Sequence, residues 1–299
     1  MLLPGGDSIA LPENLGGMGE ISNSANLLII GAGSIGRKHE ANARKLGVNT
    51  RTVDSEPSAR ADFLDPLSAF RHYGPDHFTH AIIATPLKSH LSILTLLLDQ
   101  RIPRILVEKP LAYIDEADNA EKMYRTFSYS QKVFLGFNWR FHSSIIRMKE
   151  IIASGEIGHI QVAQLSAREW LPKYGGQVLL ESGSHILDTL RYLLGEVKVL
   201  GANLANHGRL GKSDESACIL LRTEQNSSVY VHVNFVNVDA YDYRVLVQGS
   251  KGTRECRPDR SEEMHLGELK AFLQDDETVL ATFEDGLRNL KLLRDVVGK

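Results

Sequence analysis

The stretch LLIIGAGSIGRKH, Leu27 to His39, constrains the fold of this chain more than any other segment. Four apolar residues read as a buried strand, glycines follow in G-x-G-x-x-G spacing, and a helical pattern begins at Ser34. Alone such a glycine pattern is weak, but between a strand and a helix it reads as the first turn of a dinucleotide-binding βαβ unit. Gly31 permits the tight turn. Gly33, lacking a Cβ, lets a pyrophosphate approach the backbone and rest on the helix N-terminus beside Ser34 and Ile35, and Gly36 lets the helix pack close to the strand. The next strand, NTRTVD, ends at Asp54, 18 residues beyond Gly36. A carboxylate there accepts hydrogen bonds from the adenosine ribose hydroxyls and repels a 2′-phosphate, which points to NAD. Arg51 and Arg60 keep NADP open. The plainer alternative is a glycine turn without a nucleotide and a solvated Asp54.

The chain beyond Asp54 extends the same pattern. HAIIAT, a helix over Ser89 to Gln100, RILVE, a helix over Asp115 to Phe127, and KVFLGFN alternate strand with helix, as in a right-handed parallel sheet. Beyond Phe141 a helix over Ser143 to Ser154 leads into longer strands, HIQVAQLSAREW, SACILLRT, SSVYVHVNFV and YRVLVQGS. Their turn signals, EQNS and GSKG, suggest a mostly antiparallel sheet. Two helical segments, LGELKAFL and GLRNLKLLRDVV, end the chain. The fold class expected is α/β, with a Rossmann-type doubly wound parallel sheet over 27–140 and an α+β domain with a mostly antiparallel open sheet over 141–299. Residues 1–26, with two glycine pairs and little periodicity, read as a flexible lead-in.

Composition narrows the partners. At 42% hydrophobic and 24% charged residues the 299-residue chain reads as a globular protein able to bury a sizeable core. A formal net charge of −3 provides no basic field for nucleic acid. The apolar runs fall short of the about 18 residues that span a bilayer, and no signal peptide is evident. Cys218 and Cys256 form no CxxC pair and have no nearby histidine cluster, so neither a disulfide framework nor a metal is expected, and a reducing cytoplasm fits best. A small-molecule substrate is the expected partner.

Three further segments carry chemistry. In AIIATPLKSH a buried strand ends at Thr85 and Pro86 and delivers its loop to the carboxyl edge of the sheet, where open α/β folds bind ligands. Thr85 and Pro86 could wall the nicotinamide side of a pocket; His90 reads equally as a pocket residue or as a helix-surface histidine. In RILVEKPLA the strand ends abruptly at Glu108, Lys109 and Pro110, at that same edge. A partly desolvated lysine there can take part in proton transfer, and Pro110, whose preceding bond can be cis, would aim it into the cleft. In ESGSHILD, a helix would place Glu181, His185 and Asp188 along one face, with His185 suited to pass a proton as a hydride moves. GFNWRFHSSI adds Arg140 at the junction of the halves. It reads equally as a bidentate substrate ligand or as a structural arginine, and Trp170 reads as cleft wall or as a sugar-facing platform.

GAGSIGRKH, AIIATPLKSH, VEKPLA, GFNWRF and SHILDTLRYLLGEV, in this order and at these spacings, resemble the glucose-fructose oxidoreductase, inositol dehydrogenase and MocA family from about Leu27 onward. The resemblance implies a Rossmann domain binding NAD or NADP and an open-sheet domain that covers the nicotinamide, binds substrate and builds oligomer contacts, with dimers or tetramers expected. It implies cofactor contacts from Glu108 and Lys109, a catalytic or substrate-orienting Lys109, a cis bond before Pro110, and an acid four residues ahead of the catalytic histidine. That acid is usually aspartate; here it is Glu181. Substrate contacts are then expected from Arg140, Trp170 and Asp188. Relatives often carry a longer loop where this chain has only LPKY after Trp170. The activity implied is oxidation of a secondary alcohol, or reduction of the ketone, on a sugar, nucleotide sugar or cyclitol. An imine or double-bond reductase and a dinucleotide-binding sensor without turnover stay open.

Overall fold

The structure, a computed structural model, describes residues 25–125, 131–170, 177–209, 211, 213–236 and 241–299. Residues 1–24, which hold most of the lead-in, and the LPKY loop lie outside the described residues.

The first sheet opens with β1 (Asn26–Ile30), α1 (Ser34–Lys45) and β2 (Asn49–Val53). An eight-residue helix, α2 (Pro66–Tyr73), comes next and escapes the sequence reading. Its ends are nonetheless well signed: Asp65 caps it by accepting from Ser68 N, proline stands in the first turn, and Gly74 follows at positive φ. β3 (His80–Ile83), α3 (His90–Asp99), β4 (Arg104–Glu108), α4 (Ala117–Tyr124) and β5 (Lys132–Gly136) complete the alternation. The helix expected over residues 115–127 is α4, shorter and preceded by a 3-10 turn over Ile114–Glu116.

These strands pair in the order β5-β4-β3-β1-β2, all parallel. Chain order reverses between β1 and β3, so a crevice opens at their carboxyl ends, the place where open α/β sheets bind ligands. β3 is buried along its length, and after His80 the apolar Ala81, Ile82 and Ile83 supply what such a strand needs.

α5 (Ser143–Ala153) leads to the second sheet: β6 (Ile160–Arg168), β7 (Val197–Ala205), β8 (Ser216–Thr223), β9 (Ser228–Asn234), β10 (Asp242–Gly249) and β11 (Gly252–Cys256). The order is β11-β10-β6-β9-β8-β7, antiparallel except for the β6–β9 pair. α6 (Ser184–Leu194) packs on its inner face, where Ile186, Leu187 and Leu190 are fully buried. β8 shows why one face is covered: its burial alternates strictly, with Ala217, Ile219 and Leu221 inward.

After the second sheet the chain returns to the first. α7 (Glu263–Gln274) packs Leu269 and Phe272 against Leu27, Ile29 and Phe134. β12 (Ala281–Thr282) pairs antiparallel with β5 at the sheet edge. α8 (Phe283–Val297) then places Phe283, Leu287 and Leu290 in the core of the first sheet and Leu292, Leu293 and Val296 in that of the second. A division at residue 140 therefore separates the two sheets but not the packing of residues beyond 263, which covers both. No helix among the described residues is long and apolar enough to cross a membrane.

Candidate active site

The glycine loop has the geometry its spacing implies. Gly31 adopts φ +102°, and a Cβ there would lie 2.4 Å from Ala84 O; a Cβ on Gly36 would lie 1.8 Å from Gly31 O. Both positions exclude any side chain. Gly33 differs, for nothing lies within 4 Å of where its Cβ would be. That open space sits over the N-terminus of α1, whose first turn carries neither a side-chain cap nor an acidic residue. Uncapped N–H groups at a helix start, with room above them and no competing carboxylate, suit a pyrophosphate. Ser34 is exposed there, and Ile35 lines the adjoining cavity.

Asp54 stands just past β2 as expected, but its carboxylate also ties the loop together. Oδ2 accepts from Ala32 N at 2.7 Å and Oδ1 from Glu56 N at 2.9 Å. Arg51 is turned away, donating to Tyr73 Oη at 2.7 Å.

A cavity of about 450 Å³ opens from this loop between the two sheets. Thr85, Pro86, His90, Glu108 and Lys109 line it from the first sheet, and Glu181 and His185 from the second. The structure thus brings together residues that lie far apart along the chain. Lys109 Nζ lies 3.2 Å from Glu181 Oε2 and 3.4 Å from Glu181 O. The Lys109–Pro110 peptide bond is cis.

His90 is no surface histidine. Buried at 2% exposure, its ring spans from Pro110 O to Thr85 O, 2.9 Å to each, and so ties the Lys109–Pro110 turn to the β3 loop. Burial draws its pKa below the ordinary imidazole value, although both carbonyls favour the charged ring.

His185 stands beside the Trp139 and Phe137 rings, at centroid distances of 6.1 and 6.3 Å, with Nδ1 buried and free of any hydrogen-bond partner. Burial holds its pKa well below the usual histidine value, and the charges of Lys109, His265 and Arg260 act in the same direction. It is therefore neutral near pH 7 and able to accept a proton.

The stripe expected along ESGSHILD breaks at Asp188. Leu179–Gly183 form a wider π-helical turn before α6, and Glu181 and His185 face the cavity while Asp188 is fully buried behind them. There it receives Arg140 bidentately, Nε to Oδ2 at 2.9 Å and Nη2 to Oδ1 at 2.7 Å; Arg140 also reaches Asp285 at 3.3 Å. Arg140 is 6% exposed and Asp188 is 0%, and neither lines the cavity. Arg140 is thus a structural arginine, and a substrate role for this pair has no support in the geometry. Trp170 is also off the cavity, 48% exposed and packed on Tyr241 with ring centroids 4.7 Å apart.

Several lining residues escape the sequence reading. Glu169, at the end of β6, accepts from Ser182 Oγ at 2.8 Å, from Tyr243 Oη, and from Arg260 Nη2 at 2.7 Å. Its signal is slight, a charge before Trp170 at a strand end; Tyr243, Arg260, Met264 and His265 offer none. Glu108 finds its partner in His39 of α1, whose Nε2–H donates to Oε1 at 2.7 Å. Burial would raise the Glu108 carboxyl, but this bond and the charges of His39, His265 and Lys109 outweigh it and hold it below the ordinary value.

Comparison with known proteins finds chains similar to this one. The family model for the GFO/IDH/MocA C-terminal domain matches residues 145–255. An oxidoreductase of Bacillus subtilis, YrbE, is 26% identical over 268 residues, covering 83% of this chain and 78% of its own. The myo-inositol 2-dehydrogenase of Thermotoga maritima is 25% identical over 245 residues, covering 75% and 72% respectively. In fold the chain is similar to the scyllo-inositol dehydrogenase of Lactobacillus casei, solved with bound NAD(H) and scyllo-inositol, with a TM-score of 0.77 at 18% identity over 92% of this chain and 96% of that one.

Proposed function

We propose that the chain is a member of the glucose-fructose oxidoreductase, inositol dehydrogenase and MocA family of oxidoreductases and that it interconverts a secondary alcohol and a ketone on a sugar, nucleotide sugar or cyclitol, using NAD. The observation that carries this reading is the convergence of Lys109, from the first sheet, with His185 and Glu181, from the helix facing it, on one cavity at the mouth of the glycine loop.

The residues present fit a dinucleotide. Gly31, Gly33, Ser34, Ile35 and Gly36 would hold the pyrophosphate at the start of α1, Asp54 the adenosine ribose, and Thr85, Pro86, His90, Glu108 and Lys109 the nicotinamide end. When bound, the nicotinamide supplies hydride exchange at a carbon centre. The protein manages the proton. Neutral His185, in a site that burial keeps from charging, takes the hydroxyl proton from the cavity side. Lys109 places a positive charge beside the oxygen as that proton leaves, and Glu181, at 3.2 Å, fixes the ammonium in place. Arg260, held by Glu169, and Tyr243 line the side given to substrate hydroxyls.

Purified protein mixed with NAD and a panel of inositols, aldoses and nucleotide sugars should raise absorbance at the reduced-nicotinamide band with at least one of them. Tight NAD binding with no turnover across the panel would favour a sensor and overturn the catalytic reading. For cofactor choice, Asp54→Ala should narrow the preference for NAD over NADP; an unchanged ratio of affinities would remove Asp54 from the ribose site.

A further inference from the structure

Behind the Glu108 side of the cavity, three elements bring titratable groups together in the interior. His39 of α1, Glu108 at the end of β4 and Glu268 of α7 each place one potential ligand atom within 4.8 Å of the others. His39 is 0% and Glu268 1% exposed. Neither carboxylate oxygen of Glu268 has a hydrogen-bond partner, nor does Nδ1 of His39.

Glu108 accepts from His39 and from Lys109 N, so the cost falls on Glu268: an ionised carboxylate taken from water unpaired loses several kcal/mol of hydration. A lysine or arginine would be the ordinary remedy, yet no ion pair among the described residues reaches Glu268. One divalent cation would partner every ligand at once, and two carboxylates balance its charge. His39 Nε2 lies 2.7 Å from Glu108 Oε1, so an ion taken between them would replace the proton they share, with the imidazole as its neutral Nδ1–H tautomer.

We infer that His39, Glu108 and Glu268 form a binding site for a divalent first-row transition-metal ion. The imidazole ligand selects against Mg²⁺ and Ca²⁺, which prefer all-oxygen shells. Such an ion would join the helix that follows the glycine loop, the strand that carries Lys109, and α7 of the returning chain. Its binding requires neither NAD nor a sugar or cyclitol substrate.

The test uses untagged full-length protein, stripped with EDTA, dialysed, and titrated with ZnCl₂ or MnCl₂, reading bound metal per chain and the thermal midpoint. One ion per chain is expected, with a midpoint about 5 °C higher at a hundredfold excess over Kd and little change with MgCl₂. Glu268→Gln keeps the side-chain shape while removing the charge, so the variant should fold and should lose both the uptake and the shift. Wild type that takes up well under one ion per chain overturns the site whatever the variant does. So does equal uptake by Glu268→Gln, which would locate the metal elsewhere. Metal-free Glu268→Gln that exceeds wild-type stability, combined with no uptake by wild type, would mean that a proton neutralises the carboxylate pair instead.

Discussion

At residue scale the site turns on one neutral histidine beside one cationic lysine. His185 has a depressed pKa first because burial penalises its charged form and next because Lys109 repels a second positive charge nearby. It is therefore uncharged from neutral pH down to well below the ordinary 6.5, and its ability to accept a proton is lost only as pH falls through that lowered value. The rate of alcohol oxidation should accordingly show an acid limb with its midpoint below 6.5. Lys109→Met should lower kcat by roughly 100-fold to 1,000-fold, the range for removing one group that stabilises a developing oxyanion. It should also move the acid limb upward, because a charge opposing protonation of His185 is gone. An unmoved limb in Lys109→Met would show that the two groups do not communicate.

Among elements, the sharpest dependence is the junction of the 3-10 turn over Asn138–Phe141, which carries Arg140, with α6 carrying Asp188. Their bidentate pair is buried almost completely, so removing one partner strands a charge in the interior. Arg140→Met should cost about 3–5 kcal/mol in denaturant-induced unfolding, and Arg140→Met with Asp188→Leu together should regain most of it. A double variant no more stable than the single one would show that Asp285, rather than Asp188, is the partner that matters. Along the sequence, this pair looks like substrate chemistry because an arginine and an aspartate near a domain junction carry the same signal in either role. Only the π-helical turn at Leu179–Gly183 and the packing behind it separate Asp188 from the face that shows Glu181 and His185 to the cavity.

Over the whole molecule, α8 belongs to both cores, with its first half on the first sheet and its last two turns on the second. Truncation after Leu280 should leave protein that no longer gives a cooperative thermal transition, and the full chain should unfold in one transition rather than two. Two separated transitions in the intact chain would show that the helix does not couple the cores.

The sequence by itself determined the strand–glycine–helix start, the alternation that makes the first sheet parallel, and the presence of Lys109, Glu181 and His185 as proton-handling candidates. These are local facts: the conformational freedom of Gly31, the period of apolar residues, and the chemistry of a side chain are set within a few positions. Tertiary structure alone decided that Glu108 answers to His39, that Glu169 gathers Ser182, Tyr243 and Arg260, and that Glu268 lies beside both Glu108 and His39. Those partners come from residues as far apart as His39 and Glu268, joined only because α7 returns to the first sheet after the second is built. Burial and pairing set the charge of such groups, and neither can be read until the chain has closed on itself.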